Sequence, residues 1–363
     1  MIKRILLLAL FCSLGAVCSA QVAVHVAPDG DDAADGSEAT PFATLEAARD
    51  RIRAIDASPE GGVVVWIHGG IYERDTSFEL GKADSGTADS PIAYRSRPGQ
   101  NPVFLFGKRI PTDAWKPISE AAARRVHPEV TAGHLFELDY DALGIQNGER
   151  LSNADQSGGA PQSFVLFADN LRQRLAQWPN TDERLTVAGD SGWATPNGTR
   201  DNYSFFFGEG GKPTDGSTQN ELDLDGTGRS GRWKARLDSG NDLWLRGHWR
   251  TPWAPRLSLV TEIDLEGQWI RLASVPPGGM GSKYSPTFKS YDGNDYRTGS
   301  GTERYYAINL LEEIDRPGEY AIDFKDRRVY FYPPADLREL EITVADTDQP
   351  IVKASGAEYL QFD

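Results

Sequence analysis

Cysteine is nearly missing: the chain has only Cys12 and Cys18, both within the first twenty residues. With that segment set aside, no disulfide and no thiolate metal site can form. Histidine is sparse as well, and the five present show no ligand-like spacing, which speaks against zinc. Long apolar runs are absent. The one at Ile5–Phe11 falls far short of the roughly 20 residues that span a bilayer. It follows Lys3 and Arg4 and precedes small residues ending Cys18-Ser19-Ala20, the pattern of a secretory signal peptide cleaved after Ala20. A secreted or periplasmic location is therefore expected. Positive charge is also short, with 38 basic against 53 acidic side chains. Losing Lys3 and Arg4 leaves 36 against 53 and moves the net charge from −15 to −17. Such a surface disfavours nucleic acid or an anionic membrane as partner, and an acidic polymer would need a local basic groove.

What the chain does have is turns and short apolar runs. It holds 37 glycines, 22 prolines and 10% aromatic residues. VVVWI (63–67), SFEL (77–80), PIAY (91–94) and PVFLF (102–106) start 14, 14 and 11 residues apart, too close for crossover helices. This spacing predicts strands stacked through short corners, a coil of β-structure. VAVHVAP (22–28) reads as a strand ahead of it. In PFATLEAARDRIRAI, Leu45, Ala48, Ile52 and Ile55 fall at helical spacing, with Thr44 as the N-cap, Glu46 in the first turn and Arg51 and Arg53 in the last. One amphipathic helix before a β-coil suits a cap, because an open solenoid end invites edge pairing. His68, beside the Gly69-Gly70 corner, reads as a hydrogen-bonding group rather than a general base.

VAPDGDDAADGSEATPFATLEAARDRI followed by VVVWIHGGIYE resembles the amino-terminal cap and first coils of secreted right-handed parallel β-helix proteins of the pectate-lyase-like superfamily. From Trp115 the rhythm changes. EAAARRV (120–126) reads as helix, HLFELDY (134–140) and SFVLFAD (163–169) as strands, and seven of the nine tryptophans fall between Trp178 and Trp269. QSFVLFADNLRQRLAQWPN, LWLRGHWRTPWAPRLSLVTEIDLEGQWIRL and RYYAINLLEEIDRPGEYAIDFKDRRVYFYPP resemble the insertion domain of β-helix enzymes like glycoside hydrolase family 141. Within the last, Tyr320, Ile322 and Phe324 alternate, Lys325–Arg328 is a polar turn, and Val329 and Phe331 alternate back, a β-hairpin. EITV, PIVK and YLQF then read as the coil resuming.

The expected fold is mainly β: a right-handed parallel β-helix with an amino-terminal capping helix, interrupted by a β-rich, sandwich-like insertion domain. Its segments are the leader at 1–20, cap and first coils at 21–112, insertion at 113–340 and resumed coil at 341–363. So few coils predict the amino-terminal part of a longer protein. The resemblance implies an exported glycoside hydrolase acting on a plant or algal polysaccharide or oligosaccharide, with its two carboxylates on later coils. A polysaccharide lyase and a non-catalytic carbohydrate-binding or surface β-helix protein are the alternatives.

No catalytic residue is assigned. Trp178, Arg246, His248, Trp249 and Trp253 are the candidate substrate-binding group, since flat aromatic faces with charged donors suit sugar rings. The alternative for those tryptophans is a structural core. Glu312, Glu313 and Asp315 form a dense acidic group read as scaffold. No cofactor or resident metal is expected, although a loose calcium site at Glu221–Asp225 or among Asp29, Asp31, Asp32 and Asp35 stays open. Gly226–Gly231 satisfies G-x-G-x-x-G, but Trp233, Ala235 and Leu237 alternate with period two, so no helix and no dinucleotide site is expected there. Gly189–Gly192 reads as a turn rather than a protease nucleophile segment.

Overall fold

Val22–Val26 (β1) opens a sheet in which every neighbour runs the same way. In the computed structural model the described residues are 21–55, 59–127, 130, 132–144, 164–180, 192–194, 196, 198–207, 228–251, 253–281, 287–289, 295–297, 304–345 and 349–363. The expected leader at 1–20, the candidate calcium segment at 221–225 and residues 189–191 lie outside them. Contacts divide the chain into two units, one ending at Leu105 and completed by Gln349–Asp363, the other between Phe106 and Asp348.

In the first unit, Leu45–Arg53 (α1) starts at the expected cap. The Thr44 hydroxyl oxygen accepts from the Ala47 N–H at 3.1 Å and donates to Asp32 at 2.8 Å. The helix buries Leu45 and Ala48 beside Val24, Val26 and Phe42. Val63–Ile67 (β2) lies parallel to β1, and its corner at His68-Gly69 leads into Gly70–Arg74 (β3) and Phe78–Leu80 (β4). Ile92–Ser96 (β5) stacks parallel on β2. The register places Val24, Val65 and Tyr94 in line, so like positions pack on like positions through the stack. Pro102–Arg109 (β6) carries the chain out of this unit.

The second unit begins within β6. At Gly107 the backbone has φ +151°, and a Cβ there would stand 1.7 Å from the Val344 carbonyl oxygen, so only glycine fits the crossing. In chain order follow Lys116–Pro117 (β7), Glu120–Ala123 (α2), Phe136–Asp139 (β8), Val165–Ala168 (β9), Leu171–Arg172 (β10), Arg174–Leu175 (β11), Gln177–Trp178 (β12) and Ser204–Phe206 (β13). Arg229–Asp238 (α3) precedes Trp244–Gly247 (β14), Arg256–Asp264 (β15), Trp269–Leu272 (β16), the paired Thr287–Lys289 (β17) and Asp295–Arg297 (β18), and Tyr305–Ile308 (β19). Glu319–Asp323 (β20), Arg328–Phe331 (β21) and Ile342–Ala345 (β22) complete the unit.

These strands form mixed and antiparallel sheets. The order β12-β19-β14-β15-β16-β13 is antiparallel throughout, and β11-β20-β21-β8-β7 contains the expected hairpin, with Ile322 opposite Val329. The long sheet is buried on both faces: Trp244 and Ile308 enter one apolar cluster while their neighbours Leu245 and Ala307 enter another.

Two expectations change. α3 is a helix where period-two alternation argued against one. Its buried positions Arg229, Trp233 and Arg236 have i, i+4, i+7 spacing, but two are arginines, so the helical face is hidden from a reading based on apolar residues. The EITV run, expected in the resumed coil, is β22 of the second unit. It lies antiparallel between β9 and β6, so the second unit extends beyond residue 340 to Asp348.

Past that point, Val352–Ala354 (β23) pairs parallel with β4, and Leu360–Phe362 (β24) pairs parallel with β5. The first sheet is thus β1-β2-β5-β24, parallel at every pairing.

Candidate functional site

β14 and β19 run antiparallel with Arg246 opposite Tyr306 and Gly247 opposite Tyr305, and the His248 N–H donates to the Arg304 carbonyl at 2.9 Å. Alternation therefore sorts the aromatic stretch by face. Trp249 goes inward: it is 2% exposed, lies 5.5 Å from the Phe205 ring, and donates its indole N–H to Ser258 Oγ at 2.9 Å. Gly247 makes this fit possible, since a Cβ there would come within 2.5 Å of the Trp249 ring. Trp178 is 1% exposed in the same core, with Trp233 edge-on at 5.2 Å and the Arg229 guanidinium 5.1 Å above its ring. Neither indole has a face open to a ligand. For these two candidates the burial matches the core alternative.

Arg246 and His248 emerge on the other side and gather three residues that sequence reading missed: Trp193, Arg304 and Tyr306. The Trp193 ring lies 4.7 Å from the His248 ring and 4.9 Å, edge-on, from Tyr306, with the Arg304 guanidinium 5.0 Å from its centre. Arg246 donates to the Tyr306 hydroxyl at 3.3 Å, and no carboxylate pairs with it among the described residues. His248 is 7% exposed and its Nδ1 has no hydrogen-bond partner among the described residues. Burial, and then the positive charge of Arg304 with that of Arg246, hold this imidazole below its ordinary range against a bond to the Thr251 backbone. A neutral imidazole, two guanidiniums and two aromatic rings make a locally positive, flat-faced patch on an acidic chain. Trp253, 65% exposed, stands in the loop before β15. Only the strand pairing brings residues 246 and 306 together, so no local spacing could reveal the cluster.

The acidic residues serve other ends. Glu312 and Glu313, each 1% exposed, lie in a tight turn at Leu311–Glu313. Glu312 bridges Arg125 and Arg236, both at 2.9 Å. Glu313 takes Arg229 at 2.8 Å and the Trp233 indole N–H at 2.9 Å, and burial pushes its carboxyl up against that pull. Asp31, Asp32 and Asp35 accept from backbone N–H groups of their own loop and of Ala43 and Thr44. No group of three or more metal-ligating side chains occurs among the described residues.

Glu319 behaves unusually. Burial, and then the neighbouring charge of Asp315, push its carboxyl up to about 8, although it accepts the Asp315 and Arg316 N–H groups at 3.0 and 3.1 Å. Its folded value lies above the ordinary one, so its contribution to stability is present at low pH and is lost as pH rises toward and through 8. Glu319→Gln keeps an acceptor and removes the titration. Urea midpoints measured from pH 5 to pH 9 are expected to fall less steeply in this variant than in the parent; parallel curves would refute the assignment.

No family model matches the chain. The pectate lyase PEL9 of Emericella nidulans is 23% identical over 289 residues, a stretch covering 77% of this chain and 63% of that enzyme. A solved glycoside hydrolase structure matches with a TM-score of 0.56 at 19% identity, covering 94% of this chain and 49% of that one. The structure of a XylC complex with xylose covers 94% of the chain and 34% of its own at 12% identity, with a TM-score of 0.34. The chain thus spans between about half and two thirds of the length of the first two proteins, and it shares its fold with the glycoside hydrolase.

Proposed function

We propose that this chain is the amino-terminal part of an exported, polysaccharide-acting β-helix protein, and that the Trp193–Arg246–His248–Arg304–Tyr306 patch, together with the exposed Trp253, contacts the glycan. The patch carries the reading. Aromatic rings suit the C–H faces of sugars, and guanidiniums donate charged hydrogen bonds to hydroxyls or carboxylates. The parallel stack β1-β2-β5-β24, with its helical cap, supports a right-handed parallel β-helix. The chain spans 63% of the fungal relative and 49% of the glycoside hydrolase, which suits further coils in the whole protein. Full-length activity is proposed as glycoside hydrolysis by two carboxylates on those coils. A polysaccharide lyase is the second reading, favoured by the name of the fungal relative. The extended protein separates them: a lyase releases unsaturated ends absorbing in the ultraviolet, a hydrolase reducing ends alone.

The patch is testable on the present chain. Arg246→Ala and Trp253→Ala are each expected to weaken oligosaccharide binding by about tenfold, near 1.4 kcal/mol, by calorimetry, with unchanged folding. Unaltered affinity in both folded variants would make the patch structural.

A further inference from the structure

His25 lies in β1 and His68 directly follows β2, and in the first unit Nδ1 of His25 stands 3.1 Å from Nε2 of His68. The ring centres are 5.4 Å apart, with planes at 80°. A ring nitrogen lies roughly 1.1–1.2 Å from its ring centre, so these two distances agree only when the nitrogens meet head-on, as an N–H···N bond prefers. A metal shared at about 2.0–2.1 Å from each nitrogen would draw the rings to an angle, with centres about 4.8 Å apart. The contact is a hydrogen bond.

Such a bond needs one bare nitrogen. If both rings are protonated, two N–H groups face each other and the link becomes a repulsion. The charged groups around the pair are Asp29 and Glu38, from the loop after β1, and Arg97, after β5. Arg97 pairs with Glu38, which offsets both fields. From β3, the Tyr72 hydroxyl reaches the Val26 and His68 carbonyls at 3.1 and 2.8 Å, while Gln100 accepts the Gly69 N–H at 2.8 Å. None of these compensates a second proton on the pair. Desolvation, first among the causes, holds both rings below their ordinary range.

We propose that His25 and His68 form an acid-sensitive latch between the first two strands: the pair clasps β1 to β2 when it shares one proton and releases it when it holds two. β1 suits the role because it is the end strand of its sheet. Among the described residues its far edge is held by the 36–42 loop, through His25 N–H to Gly36, Phe42 N–H to His25 and Ala27 N–H to Phe42. At these two histidines the unfolded state binds more protons than the folded one below about pH 6.5, so the stability the latch supplies is lost as pH falls through that range.

The test uses the whole chain. Imidazole resonances of His25 and His68, followed by NMR from pH 8 to pH 4.5, are expected to titrate below 6.5 and in two coupled steps. Exchange protection of the Val24 and Val26 amides, corrected for intrinsic rate, should fall roughly tenfold or more over the same range. In His68→Gln, whose side-chain amide bonds to His25 without titrating, that fall should shrink. Independent titrations near 6.5 with constant protection would overturn the proposal, and the NMR result on the parent chain decides it should the variant fail to fold.

Discussion

Glu312→Ala is expected to destabilise the second unit by about 3–5 kcal/mol, the range for stranding one side of a buried ion pair. Glu312 bonds Arg125 through one oxygen and Arg236 through the other, and Arg125 also reaches Asp323 at 3.2 Å. Without the carboxylate, the Arg236 side chain, 4% exposed, keeps its charge with the Asp242 and Asn309 carbonyls as its remaining partners among the described residues. Domains commonly hold about 5–15 kcal/mol in total, so the loss would bring the unit close to unfolding. Glu312→Gln keeps one acceptor and should lose less. Urea titration followed by tryptophan fluorescence measures both, and a loss below about 1 kcal/mol for the alanine variant would contradict the buried network.

Trp249→Ala should have a similar effect, about 3–5 kcal/mol, for a different reason. The large ring fills core space beside Phe205 and Tyr305, and its removal leaves a cavity and an unpaired Ser258 hydroxyl. Arg246→Ala should do the reverse, weakening glycan binding while altering stability by less than about 1 kcal/mol, as surface changes commonly do. The two residues lie three apart in sequence, Arg246 within β14 and Trp249 just past its end in the buried cluster. Thermal melts and calorimetry on both variants test the assignment: lost affinity with full stability in Trp249→Ala would place that ring at the ligand instead.

Local signals carried much of the fold. The Thr44 cap, the 320–331 hairpin and the short runs at 63–67 and 91–94 are all where residue type and period put them, because each depends on neighbours within a few positions. PIVK and YLQF were legible as strands, and their parallel partners are β4 and β5. The failures share one cause. α3 hides behind buried arginines whose compensating glutamates lie some eighty residues away. EITV is plainly a strand, but nothing within it tells which unit supplies its partners. Alternation puts His248 and Trp249 on opposite faces without telling which face is core, and Trp193 and Tyr306 join Arg246 only through pairing.

The glycine crossing at Gly107 also bears on the order in which the chain can assemble. Lys353 of β23 meets Glu79 of β4 across 274 residues. Joining ends that far apart through a disordered chain costs about 3 kcal/mol more than closing a ten-residue loop. Once β22 lies against β6, with Ala345 opposite Gly107, the second unit has already closed most of that distance. The carboxy-terminal strands then need to find β4 and β5 over short tethers only. High contact order in the first unit is thereby converted into a late, nearly local docking step. Replacing Gly107 should accordingly slow completion of a sheet to which it contributes no residue.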